Sequence, residues 1–257
     1  MKIKLSLLTA TKNNQDTIEK TLKSAKGLVD EIVIIDNGSK DNTLKIAEKY
    51  QAKIFYYKGK NLGRQYKKGL MYVKNDWVMI LDSDECLTHS LKIEIKKLIK
   101  SKKINNFDGY IIPFQNHFLG KKIRYGGEDY KMLRLFKKNL IMITPEATHQ
   151  KYILKSKKIG YLKNKINHYS YRSIFNLLKK FTYYAVEEAK KKYQKNEKSS
   201  IKKLFLYPIH MFYARFIKDK GYQDGLFRIP LDLAFAYMEF LTYLILFILT
   251  IKKKIYE

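Results

Sequence analysis

A chain of 257 residues has room for one large domain, or one domain with an appendage, and 46% hydrophobic and 14% aromatic content excludes global disorder. The formal net charge of +28 rests on 46 Lys beside only 6 Arg. It fits a plain solvated surface, an anionic membrane or a phosphorylated substrate, whereas the scarcity of arginine argues against nucleic acid, whose bases and phosphates arginine grips bidentately.

Taken in order, MKIKLSLLTATKNN opens with an apolar run too short for a signal-peptide core, so a cytoplasmic location is expected. The lone cysteine, Cys86, fits that reducing compartment and excludes an internal disulfide framework. KIKLSLLTAT reads as a strand running into a polar turn, with Asp16 as N-cap of a helix through Ser24. EIVIIDNGS (31–39) has the continuous apolar centre of a strand covered on both faces, followed by the short helix SKDNTLKIAEKY and the strand AKIFYY. A helical stretch from Gly63 to Val73 leads to the strand WVMIL, and Thr88 caps the helix LKIEIKKLIKS. Strand–helix–strand in this order predicts right-handed crossovers, a mainly parallel sheet, and ligands at the carboxyl ends of its strands. Three polar clusters would then share one edge: Thr9–Asn14, Asp36–Ser39 and Asp82–Glu85. Neither GxGxxG nor GxxxxGK[ST] occurs, so the usual dinucleotide and P-loop cradles are absent.

After about residue 105 the pattern changes to short extended runs with paired glycines, DGYIIPF and NHFLGKKIRYGGEDYKMLRLF, expected as loops and hairpins over the sheet edge. From Tyr171 the chain reads as helices, with NEKSS (196–200) as a connector. The tail IPLDLAFAYMEFLTYLILFILTIKKK is the most apolar segment, but Asp232 and Glu239 interrupt it and Lys252–Lys254 follow. A helix lying in the membrane interface is expected there in preference to a span. The expected division is 1–170 as the catalytic α/β domain, its halves 1–105 and 106–170, and 171–257 as a helical, membrane-associating region.

WVMILDSDEC poses the chemical question: Asp82, Asp84 and Glu85 end an apolar strand in a lysine-rich chain. One acid suffices to cap the following helix, and three so close repel one another unless a cation joins them. Mg²⁺ or Mn²⁺ takes oxygen ligands shared with substrate phosphates, and Asp82 and Asp84 could reach one ion from a tight turn.

In company with LLTATKNNQDTIEKTLKS, EIVIIDNGSKDNT and NLGRQYKKG, the segment NDWVMILDSDE resembles the family 2 glycosyltransferases with the GT-A fold. That resemblance covers residues 1–105 and implies a nucleoside-diphosphate sugar donor. It implies Thr9 and Asp36 at the nucleoside with Asp41 close by, Lys67 or Lys68 near the diphosphate, Asp82 at the ribose and metal, and Asp84 as direct metal ligand. NHFLGKKIRYGG, MLRLFKK, the His149 region, INHYSYRS and KGYQDG are similar to one branch, the lipopolysaccharide-core β-1,4-glucosyltransferases. The branch implies a UDP-sugar, probed first as UDP-glucose, a glycolipid acceptor, and a peripheral or monotopic enzyme on the cytoplasmic face of the inner membrane. Other lipid-linked glycans, a protein acceptor, or a noncatalytic relative that has lost its base are the alternatives.

The mechanism implied is a single inverting displacement in which a carboxylate takes the acceptor's proton. Where the branch has Val-His-Glu this chain has Thr148, His149 and Gln150, and glutamine accepts no proton at neutral pH. Asp129 is the favoured base, with Glu128 and Glu146 as alternatives. Arg124 and Arg134 lie in the acceptor region as candidates for phosphate or carboxylate recognition. His117, His149 and His168 stand too far apart in sequence to be read as a metal site; His149 is kept as a site residue through the branch resemblance.

Overall fold

The computed structural model describes residues 2–59, 61–145 and 151–256. Its strands are β1 (Leu5–Thr11), β2 (Glu31–Asp36), β3 (Lys53–Tyr56), β4 (Trp77–Ile80), β5 (Glu85–Leu87) and β6 (Gly109–Phe118). They continue with β7 (Lys121–Ile123), β8 (Lys131–Lys137), β9 (Ile141–Ile143), β10 (Tyr152–Leu154), β11 (Ile159–Tyr161) and β12 (Ile166–Tyr171). The helices are α1 (Ile18–Ala25), α2 (Thr43–Lys49), α3 (Leu62–Tyr72), α4 (His89–Lys100), α5 (Ile174–Gln194), α6 (Ile201–Tyr213) and α7 (Ile229–Tyr256). Two compact units result: residues up to Phe114 with Tyr130–His168, and Gln115–Asp129 with the residues from Tyr169 onward. By compactness, then, the segment Gln115–Asp129 groups with the helices.

The first unit is an α/β structure of the GT-A type. Its sheet runs β3-β2-β1-β4-β8-β6-β12-β5, parallel from β3 to β4 and antiparallel where β8 joins β4 and β6. Every residue of β1 and β4 is buried, which is why LSLLTAT and WVMI do not alternate. α1 turns Ile18, Thr21, Leu22 and Ala25 inward at helical spacing. It starts at Ile18 after Thr17 and has no side-chain cap, so the expected cap at Asp16 is absent. Thr88 does cap α4, accepting from Leu91 N at 3.2 Å. α3 lies against β1 and β2 at Gly69, where a Cβ would come within 2.6 Å of Leu8 and 2.7 Å of Ile35. That close approach carries the polar residues of α3 toward the strand ends.

In the second unit Phe118 and Ile123, from the β6–β7 hairpin, pack with Leu177 and Phe181 of α5 and Leu231 and Ala234 of α7. Further along, Ala189, Leu204, Tyr243 and Leu246 join α5, α6 and α7. α6 contains Pro208 and ends in a wider π-helical turn, Ala214–Lys218. Leu226–Ile251 is long and apolar enough to cross a membrane by length and composition.

Candidate active site

The loops leaving β1 and β2 are stitched together backbone to side chain. Asn13 N donates to Ser39 Oγ (2.9 Å), Lys40 N to Asn13 Oδ1 (2.8 Å), and Asn14 N to Thr43 Oγ1 (2.7 Å). Asp36, fully buried, accepts from Gly38 N at 2.8 Å and Ser39 N at 2.9 Å, closing its own turn. Asp41 accepts from Gln15 N and from the backbone and hydroxyl of Thr43. Burial opposes its ionisation, but these hydrogen bonds outweigh it and hold the carboxyl below the ordinary range. Thr9, two positions before the end of β1, is fully buried, and its hydroxyl has no hydrogen-bond partner among the described residues. A buried hydroxyl left so is costly, which fits a site built to be completed by a ligand. Lys68 gives its ammonium to the carbonyl of Tyr56 at the end of β3 (2.8 Å), while Lys67 is exposed.

The acids after β4 divide by partner. Asp82 accepts from the Tyr66 hydroxyl and, at 2.9 Å, from Arg134 Nη2. The same nitrogen reaches Glu85 Oε1, and Glu85 Oε2 accepts from Asp82 N at 3.0 Å. Arg134 is buried between the rings of Phe114 and Tyr152, 5.4 and 5.6 Å from their centroids. This differs from the acceptor-facing role read for Arg134 in the sequence: β8 places it under Asp82 and Glu85, where its charge answers theirs. Burial alone would raise the Asp82 carboxyl, but Arg134 overrides it and the net shift is downward. Glu85, deeper, is pushed up to about 8 by burial against the opposing pull of Arg134.

Asp84 turns elsewhere. Its Oδ1 lies 3.6 Å from His168 Nε2, with the two side chains 24% and 17% exposed. His168 Nδ1 meets the Tyr130 hydroxyl at 2.9 Å, and Tyr130 stacks on Phe114. In the tautomer that carries its proton on Nδ1, Nε2 has a lone pair on the side of Asp84. One divalent ion could take both donors, since two bonds of about 2.1 Å span at most about 4.2 Å. Among the described residues no group of three or more His, Cys, Asp or Glu side chains could hold a metal, so an ion here would draw its remaining ligands from substrate and water. Asp82, expected as a second ligand, has both oxygens engaged by Tyr66 and Arg134.

In the second unit Gly126–Asp129 is held by a buried ion network. Arg228 donates to Asp232 Oδ2 (2.8 Å), Asp224 Oδ2 (3.0 Å) and the Gly126 carbonyl (3.0 Å). Arg215 bonds Asp232 Oδ1 (3.1 Å) and Glu128, and Glu128 also accepts from Asn116 Nδ2 at 2.8 Å. Gly126 has φ +64, and a Cβ there would come within 2.1 Å of the Arg228 guanidinium, so the GG pair serves this close approach. Glu128 is thereby buried in this network and paired with Arg215; burial raises its carboxyl, with both arginines opposing. Asp129, next in sequence, is exposed. Arg124 is exposed too, its backbone N–H donating to Asp224 at 3.0 Å. Glu146 and His149, with Thr148 and Gln150, lie outside the described residues.

Sequence reasoning missed His168, Tyr130 and Tyr66. Tyr66 lies in NLGRQYKKG and His168 in INHYSYRS, yet no local spacing links either to Asp82 or Asp84. Strand pairing does, since β12 runs antiparallel to β5 with His168 opposite Glu85.

The profile of glycosyl transferase family 2 matches residues 6–174. An uncharacterized glycosyltransferase of Rickettsia conorii is 28% identical over 247 residues, covering 93% of this chain and 88% of that one. A cholesterol galactosyltransferase of Borreliella burgdorferi is 30% identical over 131 residues, 48% of this chain and 36% of its own. Among solved structures, S. aureus TarS 1–349 in complex with UDP has 16% identity and a TM-score of 0.49, covering 95% of this chain and 90% of that chain. The family match spans the strand-end loops and the acids after β4, and the full-length relatives are named glycosyltransferases: the chain is a glycosyltransferase belonging to glycosyl transferase family 2.

Proposed function

We propose that the enzyme moves a sugar, with glucose as the first candidate, from a UDP-sugar to a lipid-linked acceptor such as a lipopolysaccharide core, with inversion and with help from Mg²⁺ or Mn²⁺. The observation that carries this reading is the Asp84–His168 pair beside the neutralised Asp82–Arg134–Glu85 cluster at the carboxyl end of β4. In it Asp84 and His168 hold the metal, and Tyr130 orients the imidazole. When bound, the metal offsets charge developing on the departing diphosphate. Asp82, fixed by Tyr66 and Arg134, faces the ribose, and the unpartnered Thr9 hydroxyl and the turn closed by Asp36 and Asp41 receive the nucleoside. Lys67, exposed on α3, is the diphosphate lysine, because the ammonium of Lys68 is on a carbonyl.

Asp129 takes the proton of the acceptor hydroxyl as that oxygen bonds to the anomeric carbon and the carbon–diphosphate bond breaks, releasing UDP and inverting configuration. Its neighbour Glu128, locked to Arg215, holds the loop instead. Arg124 remains the candidate for an acceptor anion. A lipid acceptor agrees with the apolar α7, read here as a peripheral or monotopic anchor at the cytoplasmic face of the inner membrane, and with a relative that glycosylates cholesterol.

The test is Asp84→Asn and His168→Ala, assayed with labelled nucleotide sugars and membrane extract. Both variants are expected to keep the wild-type circular dichroism, lose transfer by roughly a hundredfold or more, and lose Mn²⁺-dependent donor binding. Wild-type transfer by Asp84→Asn, or transfer undiminished in EDTA, overturns the metal-dependent reading. The same panel identifies the donor sugar.

A further inference from the structure

α6 presents an apolar ridge that nothing in its own unit covers. Ile201, Phe205, Ile209 and Tyr213, then Ile217 in the π-helical turn, recur every four residues and are each 44–66% exposed. Residues at that spacing form one continuous row on a helix surface. Leu206 widens it. The opposite side of α6 already has its partners, because Leu204 is buried with Ala189, Tyr243 and Leu246, and Tyr207 meets Tyr243 edge-on at 4.7 Å. Isolated exposed apolar residues are ordinary; a row of five on one helix marks an interaction surface.

We propose that α6 and the turn after it form the face by which the chain lies on an anionic bilayer, a proposal that rests on the membrane-acceptor reading above and moves the docking face from the α7 tail to α6. Charge identifies the occupant. From Lys198 to Lys218 the sequence has no carboxylate; Lys198, Lys202 and Lys203 flank one end of the row, and Lys218 and Lys220, with Asp219 between them, flank the other. Apolar insertion combined with a flanking basic patch gives the two signals that stable membrane attachment needs. Tyr213 and Tyr222, both largely exposed, have the amphipathic rings that settle at headgroup level. A second copy of the chain is the poorer occupant. Pairing two such faces would set lysine against lysine in a protein of net charge +28. An 18-residue α6-plus-turn segment, Ile201–Lys218, is also too polar at its ends and too short to span, and fits the plane of the interface.

The experiment is co-flotation of the full chain with phosphatidylcholine vesicles, with and without phosphatidylglycerol. Wild type is expected to float with the anionic vesicles and to be released by high salt. Phe205→Ser with Ile209→Ser, at two exposed positions, is expected to keep the helical circular dichroism and partition at least about tenfold more weakly. If that pair loses helix, Ile209→Gln alone replaces it, with a smaller loss in the same direction. Partitioning equal to wild type overturns the proposal. So does a larger loss from Ile248→Ser with Ile251→Ser on α7, or a wild-type dimer in ultracentrifugation that the α6 pair dissolves. Donor turnover with a soluble acceptor separates the two readings. Turnover without vesicle binding removes the docking face alone; vesicle binding without metal-dependent turnover removes the catalytic reading alone.

Discussion

Replacing Arg228 by methionine keeps most of the side-chain volume and removes a guanidinium that is fully buried. Four hydrogen bonds go with it: two to Asp232, one to Asp224 and one to the Gly126 carbonyl. Asp232 and Asp224, almost without solvent, would then stand as charges facing each other, with Glu128 nearby. Breaking a buried ion pair from one side costs about 3–5 kcal/mol, because the remaining charge cannot rehydrate. Arg215 still holds Asp232 and Glu128, so the low end applies, about 3 kcal/mol. With a urea m of about 2 kcal/mol per M, the midpoint falls by about 1.5 M, read by far-ultraviolet circular dichroism. Adding Asp224→Asn to the same chain removes the acid that Arg228 leaves without a cation, and is expected to recover part of the loss. A shift in the single variant below about 0.3 M, or a double variant no better than the single, would refute the view that these charges hold the loop and not merely neighbour it.

Tyr66→Phe deletes the hydroxyl that donates to Asp82; a drop of about 1–2 kcal/mol in stability and several-fold weaker donor binding with Mn²⁺ are expected by calorimetry, and unchanged values in both would deny Asp82 its anchor. Asp129→Asn is expected to lower kcat by about a hundredfold or more with donor affinity unchanged, whereas near-wild-type turnover assigns the base elsewhere. Asp108 is held below the ordinary carboxylate range first by Lys137 at 2.7 Å and then by Ser156. A depressed folded-state value means stabilisation present above the unfolded value and lost as pH falls through the folded one. Asp108→Asn is therefore expected to cost about 1 kcal/mol near neutrality and nothing at strongly acidic pH, where a thermal melt showing a constant gap would contradict this assignment.

Much of the first unit was legible because its signals are local. Continuous apolar runs marked β1, β2 and β4, their order with the intervening helices implied parallel pairing, and Thr88 announced α4. The antiparallel insertion of β8 between β4 and β6 was not legible, since MLRLFKK carries no mark of its neighbour. The helical unit was read correctly as helices, but its apolar tail drew attention away from α6. α7 is more apolar in sequence, yet it buries Leu231, Ala234, Tyr243 and Leu246, while the amphipathic α6 leaves its large residues outside. Composition reports what a helix contains, and only packing reports which side remains open.

The acids of DSDE show the same limit in electrostatic form. Reading three carboxylates at one strand end, the natural inference is a cation large enough in charge to hold all of them together. The fold supplies much of that cation from within: Arg134, brought by β8 from far along the chain, lies on Asp82 and Glu85, and Tyr66 covers the remaining oxygen of Asp82. The proposed metal site is then smaller, Asp84 together with an imidazole that β12 pairing delivers. The reduction has a chemical consequence. A site offering one carboxylate and one neutral nitrogen leaves most of a divalent ion's charge uncompensated until a diphosphate arrives, so metal and donor are expected to bind cooperatively. Titration of Mn²⁺ in the absence of nucleotide should then give weak binding, tightening at least about tenfold when UDP is present. Equal affinity with and without UDP would mean that the chain's own side chains already complete the metal's shell.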